Sequence, residues 1–487
     1  MSTPPADQSI ASLRERYGPR YRWLLLLSVM VGTMASVMSS TIVNVAIPDL
    51  SHHFGLGQER AQWVTSGFMA AMTVSMLTTP WLLARFGYRT TYNACMWLLL
   101  AGGIMGGVAQ HFPLVLVARV AEGLAAGVVQ PIPAIIILRA FDANEQGRAS
   151  GIFGTGVVLA PALGPSIGGL LVDGFGWRSI FFMVVPFCLV SLWLARRYVP
   201  TNAPGRTDTD PNATLDWRGL LLASAGTLCL LNGLVDLSRD QPASGWLLLA
   251  GATAALVAFV VLQRHMLRRR HQPGATPPLM NLSLFADRRF TMGSIVAIIY
   301  GTALFGSTYL LPVYMQMGLG MSASLVGVIM LPAGVVLAMA ITMVGRLVDR
   351  HPTHLLVSAG LALLAASFAL MITVDGHAYT TSITLLVIWA MLGRIGLGFI
   401  LPSLNVGAMR GLKSPDIPQG ASVINFVRML GGAAGVSLCG IVLEWRLAVR
   451  GEQRLAAFDD TFLFLAAVCA LALLAAWRLR DAPAKPR

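Results

Sequence analysis

Apolar positions in this chain follow neither the alternation of a surface strand nor the narrow stripe of a surface helix. They form long unbroken runs, parted by short breaks rich in arginine, glycine and proline. Fourteen such runs lie near 23–47, 62–83, 92–110, 113–140, 149–172, 179–195, 217–237, 246–262, 291–314, 324–344, 355–373, 383–409, 419–444 and 462–477. Each is close to the roughly 20 residues a helix needs to cross about 30 Å of hydrocarbon. A run apolar on all sides must satisfy its backbone polar groups internally, as a helix does. The pattern predicts an all-α polytopic membrane protein with 14 transmembrane helices, numbered here in chain order, surrounded by a lipid bilayer.

The polar stretches between the runs give the organisation. Residues 1–22 form a leader, 23–195 a first six-helix bundle, 196–216 a linker, 217–262 two inserted helices, 263–290 a second linker, 291–477 a second six-helix bundle and 478–487 a tail. The two bundles read as a weak duplication. PWLLARFGYR from Pro80 aligns with GRLVDRHPTH from Gly345, matching Arg85 to Arg350. ARVAEG on helix 4 aligns with GRIGLG on helix 12, matching Arg119 to Arg394, and RASGIFG opening helix 5 aligns with GASVINF opening helix 13. Matched helices run in the same direction, so the halves are expected to be pseudo-symmetric about an axis along the membrane normal.

Composition agrees with this pattern and adds an orientation. Of 487 residues, 55% are hydrophobic and 12% charged. With fourteen passes, 26 of the 35 Lys and Arg fall on the side of the termini, 6 on the other, and Arg119, Arg394 and Arg428 fall within helices. Positive charge marks the cytoplasmic side, so both termini are expected in the cytoplasm of a bacterial-type inner membrane. The formal charge of +13 is then a topology signal rather than a nucleic-acid-binding face. The leader holds Arg14, Arg16, Arg20 and Arg22, but the run after it is too long for a signal-peptide core.

Several chemistries are excluded. Cys95, Cys188, Cys229, Cys439 and Cys469 lie inside apolar runs with no CxxC pair, which fits neither a disulfide framework nor a zinc site. His351 and His354 beside Arg350 are too few ligands for a metal centre. The only lysines, Lys413 and Lys485, lack the upstream spacing of a nucleotide-binding loop, and no polar stretch is long enough for a catalytic domain. The chain is expected to be no enzyme, not its own ATPase, and to use no cofactor.

The charges inside the membrane carry the candidate chemistry. Arg119 and Glu122 are three residues apart on helix 4, so they share a face and can pair, and Glu122 is the one carboxylate near mid-span. Two readings stay open: a proton carrier whose affinity changes as surroundings change, or a permanent ion pair joining helices. On helix 5, GTGVVLAPALGPSIGG places Gly156, Ala160, Gly164 and Gly168 in one small-residue stripe, with Pro161 and Pro165 four apart. That stripe is either a hinge or seal, with Gly169 beside it, or static close packing.

With these residues on the page, the chain resembles the major facilitator superfamily, and within it the fourteen-helix drug:proton antiporter branch. The resemblance rests on GPSIGG at 164–169, RVAEG at 119–123, STIVNVAIP at 40–48 and GRLVDR at 345–350. It extends through WRSIFFMVVP at 177–186, LDWRGLLL at 215–222 and PLMNLSLFADRRF at 278–290, covering essentially the whole chain. It implies two six-helix bundles around a cavity, alternating access, and multidrug efflux of small amphipathic substrates against inward proton flow. A periplasmic adaptor and an outer-membrane channel are implied candidate partners. It also implies gate roles for Arg85, Asp349 and Arg350. In two places the chain departs from the family: Ser39 stands where helix 1 usually has Asp, and Ala84 where the first loop motif has Asp. Coupling then falls to Glu122 with Arg119, whose depth matches that of Ser39. An uncoupled facilitator or lipid-type flippase is the alternative these losses leave open.

Candidate substrate contacts are Met34, Met38, Ser39, Asn44, Tyr300, Tyr309, Arg394, Asn405, Asn425 and Arg428. Methionines offer adaptable apolar surface, and the polar groups either meet cargo or bond between helices. Three intramembrane arginines against one carboxylate point to anionic or zwitterionic amphiphiles, or to arginines held structurally near helix ends.

Overall fold

The structure, a computed structural model, describes residues 10–56, 58–201, 210, 212–238, 242–269, 276–374, 379–451 and 453–479. The side chains of residues 10, 11, 48, 58, 59, 62, 160–166, 238, 242, 323, 324 and 379–381 fall outside that description.

Among the described residues, fourteen long helices follow a short leader helix, Ile10–Tyr17. They are α1 (Tyr21–His53), α2 (Gln58–Ser75, carried on through a 3-10 turn to Gly87), α3 (88–107) and α4 (Phe112–Val129, resumed as Ile132–Ala140). Next come α5 (Gln146–Phe175), α6 (Ser179–Phe182 and Val184–Tyr198), α7 (Trp217–Ser238) and α8 (Pro242–Arg269). The remainder are α9 (Arg288–Val313), α10 (Ala323–Val348), α11 (Thr353–Leu370), α12 (Tyr379–Gly407), α13 (Ile417–Arg450) and α14 (Arg454–Trp477).

Twelve stretches among the described residues are long and apolar enough to cross a membrane. One of these, Trp63–Gly107, holds two passes. Gly87 inside it has φ 76° and ψ 173°, a left-handed backbone that glycine adopts without a Cβ penalty, and the chain reverses there from α2 into α3. The 30-residue α5 completes the fourteen. The break in α4 follows from Pro131 and Pro133, which supply no backbone donor.

Even numbering puts the leader, the Gly87 turn, the linkers around α7 and α8, and the 349–352 and 408–416 loops at one end, called basal below. Arg22 at the start of α1 ties this end together through Asp142 (3.0 Å) and Glu145 (2.6 Å) in the α4–α5 loop. At the opposite end Arg446 of α13 bonds Asp460 of α14 at 2.7 Å.

Buried apolar side chains form one large cluster built mainly from α9 to α14 and two smaller ones built mainly from α1, α3, α4 and α6. Two bundles result. The inserted α7 and α8 pack on each other and lie on the flank of α13 and α2. Only 28% and 17% of their apolar windows are buried, against 39–61% in the other spans, so these two helices turn most of their surface to lipid. Asp216, 5% exposed, fastens their basal end: it accepts from the Gly219 amide at 2.8 Å and from Gln263 at 2.6 Å. Gln263 in turn accepts from the Met280 amide at 3.1 Å.

Candidate functional site

Pro113 in the first turn of α4 starts a regular helix that puts Arg119 and Glu122 on one face, turned into the first bundle. Both are 0% exposed. Arg119 Nη1 lies 2.5 Å from Glu122 Oε2 and donates to Ser39 Oγ at 2.8 Å, while Ser39 donates to the same Glu122 oxygen at 3.0 Å. Arg119 Nε donates to the Val64 carbonyl at 3.3 Å, and the guanidinium carbon sits 4.2 Å from the centre of the Phe68 ring. Helices α1, α2 and α4 thus converge on one cationic group, with α3 closing the far side. A Cβ at Gly102 would stand 2.6 Å from Glu122 Cγ, so the absent side chain makes the room that the glutamate fills. Two atoms in this cluster are buried without a partner, Glu122 Oε1 and Arg119 Nη2.

The first bundle therefore keeps an arginine–carboxylate pair although its helix 1 acid is missing. Glu122 supplies the carboxylate from α4, and Ser39 occupies the α1 position as a neutral bridge. Among the described residues this is the one ion pair with both side chains essentially inaccessible.

A second constellation joins the halves at the basal end. Asp349, which ends α10, accepts from the amides of Gly147 (2.7 Å) and Arg148 (2.9 Å). Those amides open α5, where orphan donors and the helix dipole favour an anion. Immediately beside it α5 and α10 cross with almost no space between them. A Cβ at Gly345 would stand 2.6 Å from Gly151 Cα and 2.7 Å from the Gly147 carbonyl, and a Cβ at Gly151 would stand 2.8 Å from Gly345 Cα. Thr155 and Thr342 share a hydrogen bond of 2.5 Å one turn further along. Arg139 at the end of α4 donates to the Ser414 carbonyl, and Met409, Ile417 and Ala421 of the second half pack into a cluster of the first. Near mid-depth Phe68, Met72 and Met76 of α2 meet Met429 of α13 and Phe305 of α9. Further from the basal end, a methyl group at Gly169 or Gly174 of α5, or at Gly327 of α10, would meet nothing within 4 Å. This conformer is sealed at the basal end.

Burial holds the Asp349 carboxyl above its ordinary 3.8, overriding the two amides and Arg410, which pull it down. When the halves part and water reaches it, the carboxyl returns towards that ordinary value. The sealed state thus binds the proton more tightly. Its stability falls as pH rises from the ordinary carboxylate range through the raised value. Asp349→Asn is expected to flatten this dependence, read as the α5–α10 distance between spin labels at the basal end over pH 4 to 7. A slope unchanged in the variant would assign it to another group.

The other sequence candidates fall in several places. Arg85 does not reach the second half: its Nη1 donates at 2.8 Å to the carbonyl of Ala213, which also accepts from Trp81 at 3.0 Å. It anchors the linker ahead of α7. Arg350 is exposed. Gly156 faces Met30 and Gly168 faces Ile42, both on α1, so the described part of the small-residue stripe packs inside the first bundle. Gly169 faces open space. The side chains of Pro161 and Pro165, and the surroundings of Gly164, lie outside the described residues. Met38 is buried and Met34 half-buried on α1. Asn44 is exposed and accepts from Thr65 at 2.9 Å, and Tyr309 is 36% exposed on α9. Asn405, Asn425 and Arg428 come together on a cavity of about 40 Å3 between α4 and α5 of one half and α12 and α13 of the other. Tyr300 lies within electrostatic reach of both Arg394 and Arg428.

Gly147, Gly151, Gly345, Thr155, Thr342 and Phe68 were not singled out from the sequence. The glycines carry a usable signal, since Gly147, Gly151 and Gly154 recur at the three- and four-residue steps of one helix face.

The Major Facilitator Superfamily model matches residues 29–436. A multidrug resistance protein B homolog of Mycobacterium tuberculosis (strain ATCC 25618 / H37Rv) is 28% identical over 87% of this chain and 77% of its own. The riboflavin transporter RibZ of Clostridioides difficile (strain 630) is 23% identical over 93% of this chain and 97% of its own. Among solved structures, the human organic anion transporter MFSD10 (TETRAN) superposes with a TM-score of 0.66 over 93% of this chain and 99% of that one. At 14% identity that likeness shows the fold alone.

Proposed function

We propose, from the premise that this chain belongs to the major facilitator superfamily, that it is a proton-coupled exporter of small amphipathic molecules. Transport itself follows from the family and the fourteen-helix fold. Coupling is supported chiefly by one observation: Glu122 Oε1 is buried without a hydrogen bond, while Oε2 takes both Arg119 and Ser39. A lone carboxylate oxygen in a dry site is the place a proton would occupy, and its affinity depends on how closely Arg119 is held. A movement within the first bundle that draws α1 or α2 away from α4 would break the Ser39 and Val64 contacts that hold Arg119 and admit water. The basal side is taken as cytoplasmic from its excess of Lys and Arg, in a bacterial inner membrane, so the observed conformer is closed towards the cytoplasm. The family's drug-resistance relative supports efflux of varied cargo, whereas the riboflavin transporter shows that relatives serve nutrients as well.

Complete occlusion of Glu122, with serine in the usual acid position of α1, favours a second reading, an uncoupled facilitator. Proteoliposomes separate the two. In the coupled case an imposed pH gradient drives accumulation of amphipathic fluorophores, and Glu122→Gln reduces it at least about tenfold, the usual scale for losing one charged partner. Accumulation that ignores the gradient, or is the same in Glu122→Gln, sinks the proton-coupled reading.

A further inference from the structure

The repeat that pairs Arg119 with Arg394 breaks at one position. Three residues after Arg119 stands Glu122; three residues after Arg394 stands Leu397, which is 1% exposed in the core of the second bundle. Arg394 is 9% exposed and, among the described residues, forms no hydrogen bond or ion pair. Arg428 has a neutral partner, donating to Asn425 Oδ1 at 2.7 Å. Among the described residues, Tyr300 is the titratable group that acts on both arginines, and neither forms an ion pair with a carboxylate. Among the described residues, the first bundle neutralises its buried arginine internally, whereas the second holds two without a counter-charge.

These three side chains also share a level. Tyr300, Arg394 and Arg428 lie 12, 13 and 11 residues from the basal ends of α9, α12 and α13, about 18, 20 and 17 Å at 1.5 Å per residue. Close packing fixes two of the three helices, since a methyl group at Gly301 would run into the carbonyl of Arg428. Arg428 and Asn425 line the cavity between the bundles, so the uncompensated charge faces the plane along which the halves separate. An arginine without a counter-charge at this depth is costly, and its planar fork of donors fits an oxyanion better than any neutral group.

We infer that Arg394 and Arg428, with Tyr300 beside them, form the recognition site for an acidic head group on the cargo: a carboxylate, sulfonate or phosphate attached to an apolar body. The inference rests on the transport reading but not on proton coupling. The site supplies positive charge and phenolic hydrogen bonding at one level of the membrane, and the cargo supplies the anion that Glu122 supplies in the first bundle.

The test is direct binding to the full chain in nanodiscs without any gradient, so failure of coupling cannot imitate failure of the site. The probes share one ring system: 1-naphthoate, naphthalene-1-sulfonate and (1-naphthylmethyl)trimethylammonium, titrated by calorimetry. The two anions are expected to bind saturably and at least about tenfold more tightly than the ammonium compound. Arg394→Gln and Arg428→Gln are expected to abolish that preference, and Arg394→Lys, which keeps the charge, to restore part of it. The wild-type preference stands as a test even if a glutamine variant fails to fold. Equal or tighter binding of the ammonium probe, no saturable anion binding, anion affinity unchanged in both glutamine variants, or saturation by chloride alone would each overturn the assignment.

Discussion

Replacing Glu122 with alanine is expected to destabilise the folded protein by about 3–5 kcal/mol, the usual cost of stranding one member of a buried pair. Arg119 would keep its charge at 0% exposure, with only Ser39, the Val64 carbonyl and the Phe68 ring as partners. None of these carries a compensating charge. The same logic predicts a rescue. Replacing both residues by apolar ones of similar volume, Arg119→Met with Glu122→Leu, removes the desolvation penalty along with the attraction, and such exchanges are often neutral or stabilising. The double variant is expected to recover most of the loss while remaining inactive in gradient-driven accumulation. Unfolding in mixed micelles, followed for wild type, Arg119→Met, Glu122→Leu and the double variant, gives the cycle. A double variant as unstable as Glu122→Ala would mean that the pair contributes through something other than mutual neutralisation.

The second large effect belongs to the basal seal. Gly345→Leu is expected to lower transport at least about tenfold. The new side chain meets backbone rather than a movable side chain: Gly151 Cα at 2.6 Å and the Gly147 carbonyl at 2.7 Å from the added Cβ. Overpacking in a well-packed contact costs about 1–3 kcal/mol, enough to change the ratio of sealed to open states by about five- to a hundredfold. Spin labels at positions 144 and 351, in the loops preceding α5 and following α10, should give a short, narrow distance distribution in the parent protein and a longer, broader one in the variant. Gly169→Leu is the control, because an added Cβ there meets nothing within 4 Å. If both variants transport alike, the close crossing at Gly345 is not what closes the basal end.

How much of this could be read from the chain differs from residue to residue. Arg119 and Glu122 are a local pair whose approach follows from helical spacing, and their match in depth with Ser39 follows from counting residues along antiparallel helices. That Ser39 bridges the pair is a tertiary fact. The stripe at Gly156 and Gly168 was visible as a stripe, but its neighbour was not; both glycines face α1 rather than the second half. The seal joins Gly147 and Gly151 to Gly345, nearly 200 residues away, and no local pattern marks which two glycine faces will meet. Arg85 and Arg350 match in the repeat yet differ in the fold, because the linker before α7 offers the Ala213 carbonyl to Arg85 and Arg350 remains exposed.

By itself the sequence determined the all-helical membrane class, fourteen long apolar helices, and the place of α7 and α8 between two sets of six. Those properties depend on the length and polarity of contiguous segments set against a slab of fixed thickness, and every segment meets that condition alone. Only the tertiary structure decided which helix faces which, that Glu122 is wholly enclosed, that Asp349 rather than Arg85 links the halves, and that the second bundle's arginines stand without a carboxylate. In a bilayer an apolar surface is equally content against lipid or another helix, so helix pairing is settled by close packing and a few polar contacts between residues far apart in the chain.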